Sequence, residues 1–142
     1  MRRYVSFQRA VQLSLLLFGL FGLFHLVIII GILAFEFAPV DYLWGGQMES
    51  PEQLLVFELI SLIVIALCLT IVSIRSGNLH APALLKASRV ALWLLFVLFV
   101  LNTIGNLFAK TTFEQFLSLI TALLAVVCLR MALEPIDQSQ KR

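Results

Sequence analysis

The sequence predicts an all-α protein, a four-helix transmembrane bundle with up-and-down topology and both termini cytoplasmic. Three observations predict it. Four long apolar runs are separated by three short polar breaks along 142 residues. Hydrophobic residues make up 61% of the chain and charged residues only 13%, whereas a soluble domain carries about a quarter charged residues. Basic residues gather on alternate breaks. So much apolar surface with so little polar cover suits a chain whose solvent is itself apolar. A spanning helix needs roughly 20 apolar residues. Four such helices with their loops and tails account for residues 1–142 as a single integral membrane domain.

The first span is expected over about Val11–Phe35, behind the basic residues Arg2, Arg3 and Arg9. A cleaved signal peptide is the rival reading of that start. The apolar stretch is too long for a signal-peptide core and no small-x-small site follows it, so an uncleaved span is expected. The second span, Leu54–Ile74, is introduced by Ser50 as N-cap and by Pro51 and Glu52. Gly77 and Asn78 read as its stop. The third span covers Val90–Ala109, with Pro82 in the first turn of a helical lead-in. The fourth covers Phe113–Leu133, capped by Thr111 or Thr112, with Glu114 in its first turn and Pro135 ending it. Unpaired amides cannot be satisfied in hydrocarbon, so each span should be helical. Barrel strands would alternate in polarity, and these runs do not.

Charge sets the orientation. Arg2, Arg3 and Arg9 precede the first span; Arg75, Lys86 and Arg89 lie in the second break; Arg130, Lys141 and Arg142 lie at the C-terminal end. Only Lys110 lies on the other side, where the first loop, Glu36 to Gln53, carries acids and no base. Positive residues stay on the cytoplasmic side, which puts the first and third loops outside. The tail from Ile136 to Arg142 is expected to be loose.

Depth along each helix, at about 1.5 Å per residue, groups the polar residues near the outer leaflet. His25 lies there on the first helix, Glu58 and Ser61 on the second, Asn102, Thr103 and Asn106 on the third, and Ser118 and Thr121 on the fourth. An up-and-down bundle would bring them into one shallow pocket open to the outside. An ionisable group inside a span is costly and is by default a functional candidate. Glu58 is the first such group, and His25 is its candidate partner. The alternative for both is structural: Glu58 reaching interfacial water, and His25 bonding a carbonyl or serine. Asn102 and Asn106, four apart, share a face. They either bind a polar headgroup, bridge to Glu58 or clamp two helices together.

The stripe Ser118, Thr121, Ala125, Cys128 and Ala132 reads as a close-packing surface, and Gly19, Gly22 and Gly105 as sites of close helix approach. Cys68 and Cys128 read as small packing residues rather than a disulfide. The first loop is rich in aromatics, with Phe35, Phe37, Tyr42 and Trp44. It is either an interfacial belt or a lid over the pocket, with Glu36, Asp41 and Glu49 at its rim. Lys110 and Glu114 are spaced for a weak surface pair.

The chain has no HExxH, CxxC, GxSxG, P-loop or Rossmann glycine pattern. No catalytic residue, metal or cofactor is assigned. The lack of CxxC argues against a quinone-coupled thiol-oxidoreductase. The lack of a deep acid in the first span separates the chain from small multidrug transporters. The layout is similar to that of many small bacterial inner-membrane proteins, and that membrane is the expected location. The expected function is a binding or accessory protein that holds a lipid or small amphipathic ligand through Glu58, His25, Asn102, Asn106, Ser61 and Trp44. The alternatives are a proton-coupled transporter protomer, a purely structural membrane subunit and, least supported, a lipid-directed enzyme. Beyond the bilayer, a homo-oligomer or another membrane protein is the expected partner, and no nucleic acid.

Overall fold

A computed structural model describes residues 5–136. The basic residues Arg2, Arg3, Lys141 and Arg142, and most of the tail expected to be loose, lie outside the described residues. Within them the chain is all-helical: α1 (Phe7–Phe35), α2 (Pro51–Ser76), α3 (Leu85–Leu107) and α4 (Thr112–Ala132), with short 3-10 turns at Trp44–Gly46 and Pro82–Leu84. All four helices, the third taken with its 3-10 lead-in, are long and apolar enough to cross a membrane. No strand occurs among the described residues.

The helix ends follow local chemistry. Ser6 caps α1 by accepting from the Arg9 amide at 3.2 Å, so α1 starts earlier than Val11. Ser50 caps α2 in the same way through Gln53, with Pro51 in its first turn. Gly77 ends α2 in the left-handed region, at φ 83°, where glycine carries no Cβ penalty. Thr111 caps α4. The end of α1 is less usual. Glu36 takes the left-handed conformation at φ 52°, and the Phe37 amide closes the turn on the Gly31 carbonyl at 3.0 Å. α3 begins at Leu85 rather than Val90, so the expected lead-in belongs to the helix, and it stops at Leu107.

Side-chain contacts between helices fix alternating directions. One end, called here the basic end, joins Val5, Arg75, Arg89, Arg130 and Glu134. The other, the loop end, joins His25, Trp44, Glu58 and Glu114. α4 is the central helix: half of its most apolar window is buried, against 17% for α1 and for α2. Its small-residue stripe explains this. Ser118, Thr121, Ala125, Cys128 and Ala132 are all buried, and α4 packs on both α3 and α1. α1 and α2 pack along one another, while α2 and α3 meet only loosely.

The glycines behave differently from their expected role. A Cβ on Gly22 would meet Ile65 at 3.5 Å, an ordinary contact, but one on Gly19 or Gly105 would meet nothing within 4 Å. Gly19 and Gly105 therefore permit no close approach within this chain. Cys68 and Cys128 are buried free thiols in the main core with Phe18, Val72, Leu92 and Met131.

The basic end is tied by a buried ionic knot. Arg130 Nη1 donates to Glu134 Oε2 at 2.8 Å, with both side chains only 4% exposed. Arg130 Nε donates to the Val5 carbonyl at 2.8 Å, and Arg89 Nε to the Ala132 carbonyl at 2.9 Å. Arg75 donates to the Glu134 carbonyl and lies over the Phe7 ring. The last carbonyls of a helix lack intrahelical partners and carry partial negative charge. Two guanidinium groups, Arg75 of α2 and Arg89 of α3, meet that need at the end of α4, while Arg130 ties the same end to Val5.

Candidate functional site

The loop end is built around Glu58. Counting from its Ser50 cap, α2 turns Glu58 inward, and its side chain is 1% exposed. An uncompensated buried carboxyl is expensive, and two donors compensate it. His25 Nδ1, from the facing turn of α1, lies 2.5 Å from Oε2. The indole Nε1 of Trp44 donates to Oε1 at 3.0 Å. The expected His25–Glu58 partnership is thus present in the structure, and Trp44 completes it as a triad.

Trp44 reaches inward because the backbone there is left-handed for three residues in succession. Trp44, Gly45 and Gly46 have φ of 56°, 72° and 65°. Glycine adopts this freely, but a bulky aromatic does so at a cost of about 1–3 kcal/mol, typical of strained functional positions. Gly46 has a second constraint: a Cβ there would lie 2.9 Å from the Asp41 carbonyl oxygen. The Trp44 ring stands edge-on to Phe57, with centroids 5.1 Å apart.

The same turn engages a second acid. The Gly45 amide donates to Glu114 Oε1 at 2.6 Å. Thr111 Oγ1 donates to Glu114 Oε2 at 2.7 Å and accepts from the Glu114 amide at 3.3 Å. Glu114 is 7% exposed and makes no ion pair with Lys110. The surface pair expected from their spacing is therefore replaced by a buried carboxyl at the start of α4, where the helix dipole favours negative charge.

Below these residues lies a cavity of about 340 Å³, within the size range of small-molecule sites. Glu58, His25, Trp44 and Glu114 line its upper part, and Phe18, Cys68 and Phe99 its depth. Ten residues of α2 separate Glu58 from Cys68, about 15 Å along the helix. The cavity is therefore deeper than the shallow pocket expected from polar residues alone. Its side faces the loose seam between α2 and α3, where Ile60 and Val64 stand opposite Leu98 and Asn102. Ile60, Val64 and Leu98 are 53%, 41% and 44% exposed, so the seam opens toward the surface.

All six residues singled out in the sequence line this cavity: His25, Trp44, Glu58, Ser61, Asn102 and Asn106. Among the described residues, neither asparagine amide makes a side-chain hydrogen bond, so the helix clamp and the bridge to Glu58 are both absent. The cross-helix polar contact is made instead by Thr103 and Thr121, with hydroxyls 3.0 Å apart. The first loop divides. Leu43 is buried and joins Ile28 and Leu54 in a small second core, and Trp44 directs its indole N–H onto Glu58 while the residue stays 40% exposed. Phe35, Phe37 and Tyr42 point out, at 75%, 58% and 66% exposed, as do Glu36, Asp41 and Glu49.

Two features were missed in the sequence. Glu114 was read only as a helix-start residue and surface partner, because nothing local shows that Gly45 packs on it. The second is the aromatic wall of α1, which does leave a sequence signal: Phe18, Phe21, Phe24 and His25 recur at helical spacing, and all line the cavity. Among the described residues no cluster of His, Cys, Asp and Glu could hold a metal. No family model, curated protein or solved structure matches the chain.

Proposed function

We propose that this multi-pass membrane protein lies in a cell membrane with both termini cytoplasmic, and that it binds a lipid or small amphipathic ligand in the cavity beneath the 36–50 loop. The observation that carries the reading is the cavity itself: apolar walls with a few convergent polar groups, the usual form of a small-molecule site. Asn102 and Asn106 supply side-chain donors and acceptors that no group among the described residues uses. The loose α2–α3 seam offers lateral access from hydrocarbon.

The rival readings have less support. A transport path must continue to the far side, yet Val72, Leu92, Met131 and Ala132 are fully buried below the cavity. A structural subunit associating through the α4 stripe would need that stripe free, and here it is occupied by the chain's own helices. The orientation rests on charge: Arg9, Arg75, Lys86, Arg89 and Arg130 fall at the basic end and Lys110 at the loop end.

Native mass spectrometry of the protein released from mild detergent tests the binding reading. A bound amphiphile should be seen, and Ser61→Phe, which projects a ring into the cavity, should remove it while melting is unchanged. Absence of any adduct, together with no saturable response to added amphiphiles, would sink the proposal. For orientation, single cysteines at Gln47 and Asn78, in a background lacking Cys68 and Cys128, are exposed to an impermeant thiol reagent on intact cells. Gln47→Cys should react and Asn78→Cys should not; the reverse pattern inverts the topology.

A further inference from the structure

We propose that the cavity selects an ammonium head carried on an apolar chain. The inference rests on the binding reading above and adds the chemistry of the ligand.

Two buried carboxyl groups, Glu58 and Glu114, line the cavity, and no lysine or arginine among the described residues does. Among the described residues the one basic side chain in its wall, His25, is already turned onto Glu58. Each of the four carboxyl oxygens receives one protein donor. A carboxylate oxygen has two lone pairs, so each retains room for another donor. A phosphate, sulfate or carboxylate head would face two acids, and the basic side chain beside them, His25, is already paired with Glu58. Like charge at close range in a poorly hydrated site is strongly disfavoured. An ammonium head meets the opposite situation.

The walls favour the same ligand. Phe18, Phe21, Phe24, Phe99 and Trp44 border the cavity, and the face of an aromatic ring attracts a cation, best when the site is dry. Asn102 and Asn106 add carbonyl dipoles without adding charge. An apolar chain attached to the head has an exit between Ile60 and Val64 on one side and Leu98 on the other. It would leave through the α2–α3 seam, which is lined by side chains of its own polarity.

Ammonium heads reach a membrane protein from two sources, a free amphiphilic amine or a zwitterionic lipid such as phosphatidylethanolamine, whose terminal ammonium would enter the site ahead of its phosphate. The full-length protein in neutral maltoside micelles is titrated with three probes sharing one tail: tetradecylammonium, tetradecyl sulfate and tetradecyl glucoside. The readout is Trp44 fluorescence in a Trp93→Phe background, supported by the melting shift. The ammonium probe should bind at least about tenfold more tightly than either other probe, and Glu58→Gln or Glu114→Gln should each weaken it by about tenfold.

Because either acid also holds the loop, a second variant is needed. Asn102→Lys, at an exposed position whose side chain has no hydrogen bond among the described residues, should weaken the ammonium probe and admit the sulfate. Displacement of the ammonium probe by phosphatidylethanolamine would assign the site to that lipid, and failure to displace it would assign it to a free amine; both agree with the proposal. Equal or tighter binding of the sulfate or glucoside overturns the head-group assignment and leaves the cavity a binding site. An unchanged ammonium affinity in Asn102→Lys also overturns the assignment. If none of the three probes saturates, the assignment and the binding reading fall together.

Discussion

Trp44 and Glu58 are joined by a hydrogen bond of 3.0 Å from the indole Nε1 to Oε1, and the next residue, Gly45, holds Glu114 through its backbone amide. Two adjacent loop residues thus engage acids on α2 and α4. The loop is tied down over the polar end of the cavity by hydrogen bonds to Glu58 and Glu114, the groups that would meet the proposed ligand, and in that sense it would act as a latch. A ligand that takes either acid competes with the latch or shares its oxygens, so binding and loop position are linked.

Trp44→Phe isolates the latch. The ring can still pack on Phe57, but Oε1 of Glu58 loses its donor. A buried acceptor left unmet costs about 1–3 kcal/mol, and the left-handed turn at Trp44 loses the contact that sustains it. Amide exchange across residues 40–48 should accelerate while exchange in α3 and α4 stays as it was. Unchanged exchange in the loop would show that packing alone keeps it closed.

Glycine substitutions should separate two kinds of site. Gly46→Ala puts a Cβ 2.9 Å from a backbone oxygen at φ 65°, where the neighbour cannot yield like a flexible side chain. The loop should loosen and melting should fall. Gly105→Ala adds a Cβ to open space inside a helix. Relative to glycine, alanine gains about 0.5–1 kcal/mol of helix propensity, so this variant should match or exceed the parent in detergent melting curves. A large loss from Gly105→Ala would mean that another molecule packs there.

These two glycines also show what was legible in the sequence. Helices, caps and breaks could be read because they depend on local order: Ser50, Pro51, Gly77 and Thr111 act within a few residues of where they stand. The convergence of His25, Glu58, Asn102 and Asn106 could be read because depth along a span follows from counting residues. Partners set by the path of a loop could not. Glu114 needs Gly45, and Gly45 is placed by a left-handed turn whose only local sign is the Gly45-Gly46 pair. Glu134 was likewise invisible. Its role appears only when the ends of α2, α3 and α4 meet, and a hydropathy reading treats Arg75, Arg89 and Arg130 as markers of sidedness rather than as partners.

The Arg130–Glu134 pair should matter more than its surface-like sequence position suggests. Both side chains are buried, and breaking a buried ion pair by removing one partner is strongly destabilising, at about 3–5 kcal/mol. Glu134→Ala and Arg130→Ala should each lower thermal stability strongly. The pair replaced together by methionines should recover much of the loss, since apolar substitutes of similar volume often match a buried ion pair. Recovery will be incomplete because Arg130 also holds the Val5 carbonyl. Additive losses in the double variant would show that the two residues do not act as a pair.

The cysteines offer a direct probe of the cavity. Cys68 and Cys128 are both buried, at 1% and 0% exposure, and both belong to the main core. Only Cys68 lines the cavity. A small apolar maleimide that partitions into micelles should therefore modify Cys68 and spare Cys128, whereas a charged, bulky reagent should modify neither. Peptide mass mapping after timed exposure distinguishes the two sites. A saturating amphiphile, added first, should slow the Cys68 reaction by filling the space the reagent must cross. Equal reaction at both thiols would mean that labelling follows local unfolding, and the cavity would then have no separate route of access.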